Sequence, residues 1–378
     1  MKRTFFLITL FCCSITLQAL SIQEKVGQVL MVHFYGETAN QDARTLIQDL
    51  HVGAIIYYNW CNGLHNPDQV KSLSTNLQSL AKTIPLFIAV DQEGGRVQRL
   101  TQGFTLIPTN LSVGQSGDPA SAKKHALTIA KELLAVGINM NLAPVVDVNS
   151  NPDNPVIGNR SFSNDPRVVT QFAQHALEGY DEGGVVAVLK HFPGHGDVTI
   201  DSHADLPVIR KSMNELESVE LHPFAHLAAH ADVIMTAHLL VPALDAKQCS
   251  TLSKPTLDYL RNVIGFNGII ISDSLVMEGV LKQCGTVEEA AIQALAAGCD
   301  MLILGGKQLI GKNDSLELSV EDVRSIHTAI CRAVAEGRIS EKRLNEAVEK
   351  ILKLKKEKSA EADASAQSEL IISRSIGC

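Results

Sequence analysis

The sequence predicts an α/β chain folded as a single (β/α)₈ TIM-type barrel, and three observations carry that prediction. Eight short apolar runs recur along the chain, and they are nearly continuous rather than alternating in apolar character. That pattern suits strands buried on both faces of a parallel sheet. Helical patterns with their own start signals separate the runs. A length of 378 residues, 45% hydrophobic and 20% charged, is enough to bury one large core.

In chain order the runs are QVLMVHF, VGAIIYY, PLFIAVD, INMNLAPVVDV, VVAVLKHF, DVIMTAHLL, GIIISDS and DMLILGG. Between them, Asp118-Pro119 and Asp165-Pro166 each place a capping aspartate before a proline at the first helical position. The missing proline N–H costs nothing there. Ser21 with Glu24, and Thr286 with Glu289, fit capping boxes, and Gly298 fits a left-handed helix stop. Within the helices apolar residues fall three and four apart, as in Ile129, Leu133 and Leu134, or Val169, Phe172, Ala173 and Ala176. A doubly wound sheet is the alternative, but no GxGxxG follows the first strand.

The ends of the chain read differently. MKRTFFLITLFCCSITLQAL has two basic residues, a short interrupted apolar run and the small Ala19. That is a secretory leader over residues 1–19, too short and broken for a membrane span. The alternative is a buried N-terminal helix. Export is therefore expected, to the periplasm or the extracellular space, with no stable membrane insertion. The catalytic domain is expected over residues 20–358, and the Ala-, Ser- and Glu-rich residues 359–378 as a frayed or disordered tail. A monomer is expected.

A formal net charge of −8, with no basic stripe, excludes nucleic acid as a partner. Behind the leader, Cys61, Cys249, Cys284, Cys299, Cys331 and Cys378 are scattered without a CxxC. They indicate neither a zinc knuckle nor a dense disulfide framework.

In such a barrel the active site lies at the C-terminal ends of the strands, and the unusual polar residues fall there. The third strand ends in Asp91 and runs into QEGGRVQR with Arg99, the fourth in Asp147, and GNRSF with Arg160 follows. The fifth ends in Lys190 and His191, the sixth in His238, the seventh in Asp273. A barrel built only for stability has no reason to end so many strands in charge.

Three chemistries can use this set. A metal site would draw on His191, His195, His203 and His238, but HxxxH in a loop with proline and glycine lacks the helical register that aligns two ligands. The PGHG turn can present backbone N–H groups to phosphate, yet the Walker lysine and serine are absent. Glycoside hydrolysis needs a carboxylate beneath the anomeric carbon, an acid at the leaving oxygen, and donors and acceptors for hydroxyls. Asp273 is placed as the fixed carboxylate. Asp91, Arg99, Arg160, Lys190 and His191 supply the grip, and DSH offers Asp201 and His203 as a paired acid.

KHFPGHGDVTIDSH, DQEGGRVQRL, GNRSF and GFNGIIISDSLVMEG together resemble the glycoside hydrolase family 3 β-N-acetylglucosaminidases (β-N-acetylhexosaminidases) of the peptidoglycan-recycling type. The resemblance runs from about Ile22 to Lys355. It implies a retaining, metal-free and cofactor-free exo-glycosidase acting on small sugar substrates. Asp273 would be the nucleophile, His203 the general acid/base and Asp201 its dyad partner. Asp91, Arg99, Arg160, Lys190 and His191 would surround the N-acetylglucosamine ring. A neighbouring aspartate raises a histidine's pKa, which independently suits an acid that must hold its proton near neutrality.

Two departures stand out. Ser274 follows Asp273 where relatives often carry a second aspartate, and YYNWCNGLHN after the second strand is unlike the usual form. Trp60, in that segment, reads equally as a sugar platform or as packing. A family 3 β-glucosidase and a silent sugar-binding barrel are the competing readings.

Overall fold

The computed structural model describes residues 17–203, 205–310 and 314–376. Eight parallel strands form one sheet: β1 Leu30–Val32, β2 Ala54–Ile56, β3 Phe87–Val90, β4 Met140–Asn141, β5 Val186–Phe192, β6 Val233–Thr236, β7 Ile269–Ile271 and β8 Leu302–Ile303. Each lies inside one of the eight apolar runs. Their order, β8-β1-β2-β3-β4-β5-β6-β7, follows the chain around a ring. A parallel bridge from Ile271 to Met301, with Ser272 N–H donating to Met301 O at 2.9 Å, brings β7 back to β8 and nearly closes the barrel. Every strand residue is buried, because side chains on one face fill the barrel and those on the other meet the helices.

The helices form where their start signals lie. Asp118 and Asp165 accept from Ala120 N–H and Arg167 N–H, opening Pro119–Ala135 and Pro166–Glu182. Ser21 and Glu24 make both halves of their box. Thr286 makes only the forward half, because the Glu289 carboxylate turns instead to Arg338, at 2.6 and 2.9 Å. Gly298 ends that helix at a φ of 133°.

The final helix runs Glu341–Ile376, past the Lys358 boundary expected from composition. Alanine, glutamate, serine and glutamine without proline or glycine do not interrupt helical backbone. Among its residues whose side chains are described, the last buried apolar one is Leu354. The expected leader lies outside the described residues apart from Leu17–Ala19, a 3₁₀ turn. Among the described residues no helix is long and apolar enough to cross a membrane.

Candidate active site

The strand ends open into a cleft of about 500 Å³ at the C-terminal mouth of the barrel. Asp91, Arg99, Arg160, Lys190, His191, Asp201, His203 and Asp273 all line it. Eight residues drawn from the ends of β3, β4, β5 and β7 thus converge on one space.

Local structure explains how β3 delivers its acids. Beyond Val90 the chain turns into a short hairpin, Gln92–Gly94 against Val97–Gln98. The Gln92 side chain acts like a peptide group, accepting from Leu100 N–H at 3.0 Å and donating to Leu100 O at 2.8 Å. Buried Asn141, on β4, holds the Gln92 main chain from the other side. Asp91 and Glu93 are thereby fixed on either side of a rigid residue.

Glu93 is the hub of the pocket's charges, a role its place in QEGGRVQR did not disclose. Arg160 donates to it twice, at 2.9 and 2.8 Å, and Lys190 Nζ lies 2.7 Å away. Lys190 also donates to Asp91 at 2.8 Å, while Arg99 stands 3.7 Å from Asp91. Burial pushes both carboxyls up, but the cations outweigh it and hold Glu93 and Asp91 below the ordinary carboxylate range. Burial likewise pulls Lys190 down, and the two acids return it above its usual value. Arg160 therefore shapes the pocket through Glu93 as well as lining it.

On β5, the Lys190–His191 and Phe192–Pro193 peptide bonds are cis. Asp147, at the end of the β4 run, is fully buried and organises the turn that leaves β5. It accepts from His191 Nδ1 at 2.7 Å, from His191 N–H at 3.1 Å and from His195 N–H at 2.6 Å. The Gly196 backbone packs so closely that a Cβ there would fall 1.6 Å from Val148 O. His195 is buried, as expected of a structural loop residue, with Nε2 bonded to Ser202 at 2.9 Å.

The dyad forms as its spacing predicts. Asp201 Oδ1 accepts from His203 N–H at 2.9 Å and meets His203 Nδ1 at 2.8 Å. Burial pulls the imidazole pKa down, but the Asp201 bond and the Asp273 charge raise it overall above 6.5. Asp273 goes the other way. Burial raises it, yet His238, His191 and His203 hold the carboxyl below 3.8. The two shifts run in opposite directions, favouring the protonated imidazole and the ionised carboxyl, the separation that an acid and a nucleophile in one cleft require.

His238 lies beneath the Asp273 loop, with Nε2 2.8 Å from Ser274 O and Nδ1 2.9 Å from Thr251 Oγ1. Ser274 has a structural use of its own: its hydroxyl donates to Gly305 O at 2.5 Å, tying the β7 loop to the β8 loop. Trp60 also lines the cleft, but Tyr58 stacks on it at 5.2 Å and Lys307 Nζ stands 4.5 Å from its ring centre. Both contacts favour packing over an open sugar platform. Among the described residues no group of three His, Cys, Asp or Glu side chains could hold a metal ion.

Comparison with known proteins gives the family. Residues 21–354 match the family model described as the glycosyl hydrolase family 3 N terminal domain. A protein named Beta-hexosaminidase A from Pseudoalteromonas piscicida is 37% identical over 75% of this chain, which spans 54% of that protein. The Beta-hexosaminidase of Nitrosomonas eutropha is 35% identical over 73% of the chain and 80% of its own length. A solved family 3 β-N-acetylglucosaminidase from Paenibacillus sp. FPU-7 superposes with a TM-score of 0.85 at 40% identity, covering 91% of this chain and 64% of that one. With the family model spanning nearly the whole barrel, the chain belongs to glycoside hydrolase family 3.

Proposed function

We propose that this chain is an exo-β-N-acetylglucosaminidase that removes terminal non-reducing N-acetylglucosamine from oligosaccharides with retention of configuration. The observation that carries the reading is the convergence of ionised Asp273 and the proton-holding Asp201–His203 pair on one cleft. The names borne by the relatives support the choice of sugar.

The chemistry rests on those two groups. A carboxylate oxygen of Asp273 bonds to C1 as the C1–O bond to the leaving group breaks, and His203 gives its proton to the departing oxygen. Water then attacks C1 of the glycosyl-enzyme while neutral His203 takes the water's proton, and Asp273 departs as carboxylate. Asp201 holds the imidazole orientation and favours its charged form in the first step. Lys190, Asp91, Arg160, His191 and Arg99 bind ring hydroxyls around the reacting sugar.

Peptidoglycan fragments are the proposed natural substrate, with chitin-type oligosaccharides the second reading, and export the proposed location. Release of 4-nitrophenol from its N-acetyl-β-glucosaminide in preference to the β-glucoside, with the β-anomer formed first, is the expected result. No release would leave a silent sugar-binding barrel, and preference for the glucoside a β-glucosidase. Products from purified cell-wall and chitin digests separate the two substrate classes.

A further inference from the structure

We propose that Ser202 is a positioning residue that seats the acid/base dyad, anchoring it through His195 to Asp147, the carboxylate that also orients His191. The inference rests on His203 acting as the acid/base.

The dyad is internally bonded but locally loose. Asp201 and His203 are two residues apart on a loop, and their side chains are 41% and 47% exposed. Their mutual bond fixes the imidazole against its own loop, not against Asp273. Something else must set where the loop lies.

Ser202, between them, is 2% exposed and is that anchor. Its hydroxyl meets His195 Nε2 at 2.9 Å, and its carbonyl accepts from Gly279 N–H at 3.0 Å. Gly279 lies in the first turn of the helix Glu278–Cys284 that follows the Asp273 loop, so the dyad is pinned to the element next to the nucleophile. The approach is close: a Cβ at Gly279 would stand 2.8 Å from Ser202 O and 3.0 Å from Asp205 O.

The other end of the link is rigid. His195 N–H donates to Asp147 Oδ1, and the Asp147 carboxylate also binds the main chain and ring of His191. Burial lowers His195 to about 4, so its ring is neutral at neutral pH and carries one N–H. Among the described residues, Nδ1 is buried without a partner. Placing the hydrogen on Nε2, toward Ser202, avoids a buried unpaired donor, the costlier arrangement. The ring is thus a one-way strut from Asp147 to the Ser202 hydroxyl.

A misplaced acid matters most when the leaving oxygen needs a proton. The test is kcat/KM for aryl N-acetyl-β-glucosaminides of graded leaving-group acidity, which reports the glycosylation step. For Ser202→Ala the expected loss is on the order of tenfold with poorly acidic aglycones and under about threefold with the 2,4-dinitrophenyl glycoside. His195→Ala should show the same steepened dependence, and His195→Gln, which keeps an N–H near the Nε2 position, should restore much of it. A uniform loss across the series in Ser202→Ala, or none, overturns the proposal. His203→Ala is the control: a shallow dependence there would sink the acid/base assignment itself, whereas a steep one beside an unaltered Ser202→Ala refutes only the anchor.

Discussion

Replacing Glu93 by glutamine keeps the shape of the buried cluster and removes the charge that both cations share. The Glu93 side chain is 1% exposed and that of Lys190 2%, so water does little to compensate. Each cation lies within 2.9 Å of the carboxylate, and at an effective dielectric of about 20 such a contact is worth at least about 4 kcal/mol. Against that loss stands the desolvation of the carboxylate itself, several kcal/mol that glutamine does not incur. The remainder is a destabilisation of about 3 kcal/mol, the usual range for a buried ion pair deprived of one partner.

Equilibrium urea unfolding measures it, with KM measured on the same preparations. KM should rise, because Lys190 and Arg160 lose the acid that spaces them around the sugar. The pH dependence carries a sign as well. Glu93 is depressed from 4.5, so its contribution is complete above that value and fades as pH falls below it. The gap between wild type and Glu93→Gln should therefore narrow in acid. A loss below about 1 kcal/mol with unchanged KM would refute the view of Glu93 as the hub.

The same geometry sets three further outcomes. Asp273→Ala should lower kcat by at least about a thousandfold, since the proposed covalent step runs through its carboxylate, and full activity would refute the assignment. The pH profile of kcat/KM should fall on the alkaline side above 6.5, where His203 loses its proton, and on the acid side only below 3.8; in Asp201→Asn the alkaline limb should move to lower pH. Lys355, buried against Gln28 and Gly53 O, is pulled down to about 7 by burial. Between about 7 and its ordinary value of 10.5 the unfolded chain holds the extra proton, so this residue makes stability rise with pH there. Lys355→Met should flatten that rise in unfolding free energy, and an identical slope in both proteins would count against it.

Sequence patterns of short reach carried the fold. All eight strands lie within the apolar runs, and the Asp118, Asp165 and Ser21 caps form as their spacing requires. The Asp201–His203 contact was legible for the same reason, since two residues of separation leave the partners little choice. Glu289 shows the limit: its local box was available, but Arg338, 49 positions away, offered a bidentate ion pair and took the carboxylate.

Apolar periodicity and capping act over a few residues, so the order of strands and helices, and with it which residues stand at strand ends, is written in the chain. Which partner each of those residues meets was decided only when the barrel brought the ends together. Lys190 reaches Asp91 across 99 positions and Arg160 reaches Glu93 across 67, and nothing in either local stretch encodes the pairing. The same holds for Asp147 and the two histidines it joins. Buried charges must find partners or lose their charge, and in a barrel those partners come from other strands, not from neighbouring residues.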